Sequence, residues 1–237
     1  MSARLAAALA ALMLGVSAPA VTLAQGGPPA DAVTDPALKG PEVIAFIGVK
    51  PGDKVADIVS GRFARALAAA VGPSGKLYAV MPAEVVKAHP EVWPMLQAGA
   101  AASNGVIEAS APPVNAMGLP KGALDAVFIR QNYHDLYDKF MGPADVPGFN
   151  KQVFDALKPG GVFVILDHDA PDAPLSVTET LHRIDKAQVI KDMTAAGFVL
   201  DAESALLANP DDDHSKMVFN PQIRGKTDQF LLRFRKP

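Results

Sequence analysis

The feature that most restricts this chain is an alternation of short, wholly apolar runs with stretches of helical spacing. Gly161-Val-Phe-Val-Ile-Leu166 carries no polar residue on either side, so both of its faces must be covered, as in a central parallel strand. Leu124-Asp-Ala-Val-Phe-Ile-Arg130 reads the same way apart from its polar residues near the ends. Further strands are expected at 55–59, 77–81, 106–108, 198–202 and 230–234. Helical spacing covers 41–47, 63–71, 83–102 (interrupted near Pro90 and Pro94), 133–140, 150–157 and 185–196. Strands alternating with helices call for right-handed crossovers and a parallel sheet covered on both sides. The last two strands have no helical pattern between them and predict an antiparallel hairpin. The expected fold is therefore α/β: a doubly wound, mostly parallel sheet with an antiparallel C-terminal hairpin. Ligands of such sheets bind beyond the carboxyl ends of the strands, where the strand order reverses.

The amino terminus reads as an address. Arg4 precedes an apolar run over 5–16, which Ser17-Ala-Pro-Ala20 breaks, and small residues offer cleavage after Ala20 or Ala24. This is the pattern of a secretory signal peptide, too short to span a bilayer. A buried Ala-rich helix is the other reading of the run, but it has no polar face to turn to water. The expectation is a soluble periplasmic or secreted protein. Its signal peptide is 1–24, a mobile leader of Gly, Pro and small polar residues covers 25–36, and one domain covers 37–237. Lys plus Arg total 22 against 25 Asp plus Glu, a net charge of −3, which excludes the basic field that nucleic-acid binding needs. The absence of cysteine excludes thiol catalysis, disulfides, cysteine-ligated zinc and iron–sulfur clusters.

Several segments carry a resemblance. Val49-Lys-Pro-Gly-Asp-Lys-Val-Ala-Asp-Ile58, with Gly72-Pro-Ser-Gly75 after the next helix, is similar to the opening of class I S-adenosylmethionine-dependent methyltransferases. Leu124-Asp-Ala-Val127, preceded by Gly118-Leu-Pro120, resembles their fourth-strand entry, and Leu157-Lys-Pro-Gly-Gly161 resembles the turn before their fifth strand. Asn132-Tyr-His-Asp135 and Arg224-Gly-Lys-Thr-Asp228 resemble a group of exported bacterial methyltransferases. The resemblance implies S-adenosyl-L-methionine as cofactor and methyl transfer, with a small molecule as acceptor. It also implies a cofactor loop at Asp57-Ile-Val-Ser60-Gly61-Arg-Phe63, where Asp57 and Gly61 match the family's acid and middle glycine while Val59 and Phe63 replace two other glycines. A strand–turn–helix junction without a ligand is the other reading of that loop. The family's ribose-binding acid is missing at Met81-Pro82. Glu84 stands three residues further on, either reaching the ribose or lying on a first helical turn. Asn115 occupies the family's adenine-binding position, as an acceptor or as a turn residue.

The chemistry concentrates after two strands. Asn132, Tyr133, His134 and Asp135 follow the fourth, with His134 as a general base by virtue of its near-neutral pKa and Asn132 as an orienting amide. The competing reading has Asn132 capping a helix with His134 and Asp135 on its first turn. Asp167, His168 and Asp169 follow the fifth strand and suit acid–base work or part of a cation site, although three adjacent residues cannot all face one ion. His182-Arg183 is expected on the acceptor side, Asp211–His214 in a solvated loop, and Trp93 with the phenylalanines in the core. Two other function classes remain open: a non-catalytic binding module, and a metal-dependent enzyme built on the His/Asp clusters.

Overall fold

Phe163, Val164, Ile165 and Leu166 are all essentially inaccessible to water, as an unbroken apolar run requires. They belong to strand β5 (Leu157–His168) of a seven-stranded sheet in a computed structural model that describes residues 30–237. The other strands are β1 (Lys54–Ile58), β2 (Lys76–Val80), β3 (Ile107–Ser110), β4 (Leu124–Arg130), β6 (Val199–Ser204) and β7 (Gln229–Arg235). Their order across the sheet is β3-β2-β1-β4-β5-β7-β6. Only β7 runs antiparallel to its neighbours.

Alternate residues feed two cores. Phe128, Val164, Leu166 and Leu231 pack with helices α1 (Gly40–Ile47) and α2 (Ala64–Val71). Ile129, Phe163, Ile165 and Leu232 pack on the other side with α5 (Val146–Ala156) and α7 (Lys186–Ala195). Each such side chain contributes about 1.5–3 kcal/mol by leaving water. The chain steps from β1 outward to β2 and β3 and then returns to β4, so the order reverses between β1 and β4. The carboxyl ends of those two strands, at Ile58 and Arg130, frame the crevice where a ligand is expected.

The expected helix over 83–102 is two, α3 (Ala83–Ala88) and α4 (Val92–Ala101). Pro90, without an amide hydrogen, falls between them, and Pro94 is accommodated in the first turn of α4. The expected helix over 133–140 is instead two short 3-10 turns, His134–Tyr137 and Lys139–Met141, because Asp138 between them is extended. The α5 helix starts before residue 150, at Val146, where the Asp145 carboxylate accepts from Gly148 N at 3.0 Å. A one-turn helix, α6 (Val177–Leu181), has no counterpart in the sequence reading.

Residues 31–36, expected in a mobile leader, form a strap over the β1–α2 junction. Arg62 donates from Nε to Ala30 O and pairs with Asp35, each at 2.8 Å, while its own carbonyl accepts from Ala32 N. Arg65 pairs with Asp31 at 2.8 Å, and Ala32 is buried. The two arginines at the entrance to α2 supply the attachment that composition alone does not reveal. A Cβ added to Gly40 would sit 2.0 Å from Ala32 O, so the strap fits only against a glycine there. Gly40→Ala is therefore expected to lever the strap away and expose 30–39 to limited proteolysis well before the domain unfolds. The signal peptide expected at 1–24 lies outside the described residues. No helix among the described residues is long and apolar enough to cross a membrane.

Candidate functional site

Val59 stands where the resembling family has a glycine, and its φ is +54°. A β-branched residue in the left-handed region costs on the order of 1–3 kcal/mol and persists only where its surroundings dictate it. Here Ser60 dictates it, donating from its amide to Val80 O at 3.1 Å and from Oγ to Asp57 Oδ2 at 2.6 Å. The loop thus follows a glycine's path without the glycine. A Cβ placed on Gly61 would meet nothing nearer than 3.9 Å, so that residue faces open space. Phe63, in place of the last glycine, is fully buried and edge-on to Phe128 at 5.3 Å, so its ring does not obstruct the site.

Burial pushes the Asp57 carboxyl up to about 6, against the opposing pull of the Ser60 hydroxyl, the Gly61 amide and Arg130. A carboxyl that binds its proton more tightly folded than unfolded favours folding at low pH and loses that contribution as pH rises. The window runs from the unfolded value of about 3.9 up to about 6, with a loss of about 3 kcal/mol. Asp57→Asn should flatten this slope in urea unfolding curves recorded between pH 4 and 6.5.

Arg130 closes β4 and was not singled out in the sequence. Its guanidinium lies over the Phe63 ring at 5.8 Å and has no ion-pair partner among the described residues. Burial, followed by the neighbouring Arg62 charge, pulls its pKa down to about 10 despite Asp167, Asp57 and Asp35. The available signal was an arginine at the ligand-binding end of a strand whose four preceding residues, 126–129, are all apolar.

Glu84 and Asn115 both hydrogen-bond backbone groups of neighbouring loops. Glu84 Oε2 accepts from Val114 N at 3.0 Å. Asn115 Oδ1 accepts from Asp145 N at 2.8 Å, and its Nδ2 donates to Pro143 O at 3.3 Å. Both side chains tie down a proline-rich loop whose backbone has few regular partners.

The second cluster is built around Asp167, which is wholly buried. It accepts from His134 N at 3.0 Å, from the His134 ring Nδ1 at 2.8 Å and from His168 N at 2.8 Å. His134 Nε2 lies 3.1 Å from Asp135 Oδ1 and 3.3 Å from His182 Nδ1. Burial alone would lower the His134 pKa, but the Asp167 charge and the Asp135 and Asp167 hydrogen bonds raise it to about 10. Asn132 Nδ2 donates to Asp135 Oδ2 at 2.7 Å. With both nitrogens engaged and the ring buried, His134 is not presented to a substrate as a base. It is the buried middle of a chain whose partly exposed end is His182.

His168 has a different environment. Its Nδ1 shares a hydrogen bond with Thr227 Oγ1 at 2.8 Å. Burial, only partly opposed by Asp167, lowers its pKa to about 3, so at neutral pH it is an uncharged imidazole. Tyr133 points the other way, its hydroxyl among Asn150 Nδ2 at 3.0 Å and Asp192 Oδ2 at 3.2 Å, in a network that joins α5 to α7. Asp169 forms an isolated parallel bridge with Ile184, and its carboxylate accepts from the Ala170 and Lys186 amides. The 211–214 stretch is not simply solvated, since Asp212 is buried and pairs with the fully buried Arg183 at 2.8 Å.

Two cavities meet at Arg62. A groove of about 640 Å3 starts at Ser60, Gly61 and Met81 and runs between α2 and α4. A pocket of about 260 Å3 is framed by Arg62, Arg130, Gln131, His168, Arg224 and Gln229. The groove is within the range of small-molecule sites and the pocket a little below it.

No family model matches the chain, and no curated protein matches its sequence. Solved structures do match its fold. An S-adenosylmethionine-dependent methyltransferase from Aquifex aeolicus is 17% identical with a TM-score of 0.62, over 86% of this chain and 95% of that one. Geranyl diphosphate C-methyltransferase from Streptomyces coelicolor A3(2), solved with S-adenosyl-L-homocysteine, is 12% identical with a TM-score of 0.58, over 85% and 79%. A putative methyltransferase from Haloferax volcanii, in complex with its Trm112 activator, is 16% identical with a TM-score of 0.57, over 83% and 88%. Sheet order, the lone antiparallel β7 and the match to these structures give this chain the class I S-adenosylmethionine-dependent methyltransferase fold.

Proposed function

We propose that the protein binds S-adenosyl-L-methionine over the β1–α2 loop and methylates a small-molecule acceptor held in the pocket beside His168. The observation that carries this reading is the loop itself. Val59 is held at φ +54°, and the glycine two positions on opens onto free space. The residues present fit the amino-acid end of the cofactor: amides at the start of α2 face a carboxylate, and Arg130 supplies an uncommitted cation beside them. The ribose end finds buried, apolar Met81 in place of an acid, so its binding rests on shape and backbone groups. When bound, the cofactor supplies an electrophilic methyl group on a sulfonium. The chain's part is positioning: neutral His168 accepts a hydrogen bond from the acceptor's hydroxyl or amine, Thr227 holds its ring through Nδ1, and Asp167 accepts from its backbone amide. We assign His134 to holding Asp167 rather than to proton removal.

Calorimetry with S-adenosylhomocysteine tests the reading. Wild type should bind, Arg130→Met should bind at least tenfold more weakly, and Gly61→Val should not bind. A wild-type chain that takes up no ligand would sink it. A non-catalytic binding module is the second reading, favoured by the prior engagement of Glu84 and Asn115. Turnover separates the two: a methyltransferase loses rate in His168→Ala while keeping the ligand, whereas a binding module shows no transfer to any acceptor. Export through 1–24 is part of the same proposal. Mass spectrometry of the periplasmic or secreted fraction should find chains beginning at Val21 or Gln25.

A further inference from the structure

His134, Asp135 and His182 turn three donor atoms toward one point. His134 Nε2 to Asp135 Oδ1 is 3.1 Å, His134 Nε2 to His182 Nδ1 is 3.3 Å, and His182 Nδ1 to Asp135 Oδ1 is 3.8 Å. Ligands at about 2.0–2.1 Å from a tetrahedral ion stand about 3.3 Å apart, so these separations are those of a triad around a common centre. The sequence reading missed the combination because His182 is 48 residues away from His134 and arrives from the far side of α6.

A second, independent feature points to the same place. Asp138 is 4% exposed, and its Oδ1 is buried without a hydrogen-bond partner among the described residues. A buried carboxylate oxygen left bare costs about 1–3 kcal/mol or more, so native proteins rarely tolerate one without a role. Asp138 follows the His134–Tyr137 turn in an extended conformation; its side chain meets that of Thr178, and the charges of Asp135, His134 and His182 act on it.

The surroundings are prepared as well. Asp167 accepts from His134 Nδ1 at 2.8 Å, as the outer carboxylate does in carboxylate–histidine–metal sites, so an ion at Nε2 would displace the proton now shared with Asp135 Oδ1. Asn132 occupies Asp135 Oδ2, so Oδ1 is the oxygen that faces both imidazoles. Three carboxylates, Asp135, Asp138 and Asp167, surround two imidazoles. The nearby Arg183 is spent on Asp212, Asp169 O and Lys216 O.

We propose that His134, Asp135 and His182 bind one divalent transition-metal ion. Asp138 is close enough for its charge to be felt there. Two imidazoles with a carboxylate suit zinc, iron or nickel and disfavour the all-oxygen preference of calcium and magnesium. Because the His182 side chain is 27% exposed, the ion is reached from solvent and keeps room for an exchangeable ligand. The site shares Asp167 and His134 with the cluster behind His168, but it lies outside the β1–α2 loop on which cofactor binding rests.

The test is calorimetric titration of metal-stripped full-length protein with Zn2+ at pH 7, without cofactor. Wild type should bind one ion per chain and gain thermal stability. His182→Ala, at a partly exposed position, should fold and lose at least tenfold in affinity, and Asp167→Asn should lose about ten- to a hundredfold. His89→Ala, at an exposed histidine far along the chain, should leave binding unchanged. No stoichiometric binding would overturn the proposal, as would binding that survives His182→Ala or is lost in His89→Ala.

Discussion

Arg183→Met is expected to destabilise the protein by about 3–5 kcal/mol, read as a large drop in the urea midpoint. Arg183 is 0% exposed, and its guanidinium meets Asp212 Oδ2 at 2.8 Å, Asp169 O at 3.0 Å and Lys216 O at 3.1 Å. Asp212 in turn accepts from the amides of Asp228 and His214. Methionine fills the volume but leaves a buried carboxylate and two carbonyls without their donor. The double variant Arg183→Met with Asp212→Asn should recover part of the loss, because it removes the unpaired charge while keeping an oxygen acceptor for the backbone amides. A single variant that loses less than about 1 kcal/mol would show that water replaces the guanidinium freely.

Asp167→Ala should cost at least about 3 kcal/mol, since it strips the acceptor from three buried donors at once: the His134 amide, the His134 ring and the His168 amide. It also removes the charge that keeps His134 protonated, so the histidine's proton should titrate at lower pH, which NMR of the ring protons would follow. Asp167→Asn retains an acceptor and should fall between the two. If Ala and Asn variants are equally stable to wild type, Asp167 is not the keystone of this cluster.

Much of the architecture was legible because it follows from burial. The run over 161–166 must be central, and so it is, while Leu124–Arg130 coincides with β4 residue for residue. What escaped the sequence lies where few residues decide the outcome. Tyr133 to Phe140 has helical spacing, but Asp138 is extended and splits it into two tight turns. Asp212 sits in a run of acids that looks solvated, and only the arrival of Arg183 from another loop makes it a core residue. The site followed the same rule. Asp57, Ser60 and Gly61 stand together because a loop is local in sequence. The partnership of His134 with His182, and the isolation of Arg130, depend on contacts between distant segments. Glu84 and Asn115 stand at the expected positions, yet each is committed to backbone groups that no spacing argument reveals.

The placement of β7 has a consequence for how the molecule is made. Gln229–Arg235 comes last among the strands but is inserted between β5 and β6. Until it is synthesised, one edge of β5 has no partner and β6 has no neighbour at all. At 5–20 residues per second, a chain of 237 residues takes roughly 10–50 s to complete, and its sheet stays open for nearly all of that time. The nascent chain therefore presents a long, sticky, half-built surface to whatever holds or threads it. A ribosome that stops short of Gln229 would release an aggregating fragment rather than a weakened protein.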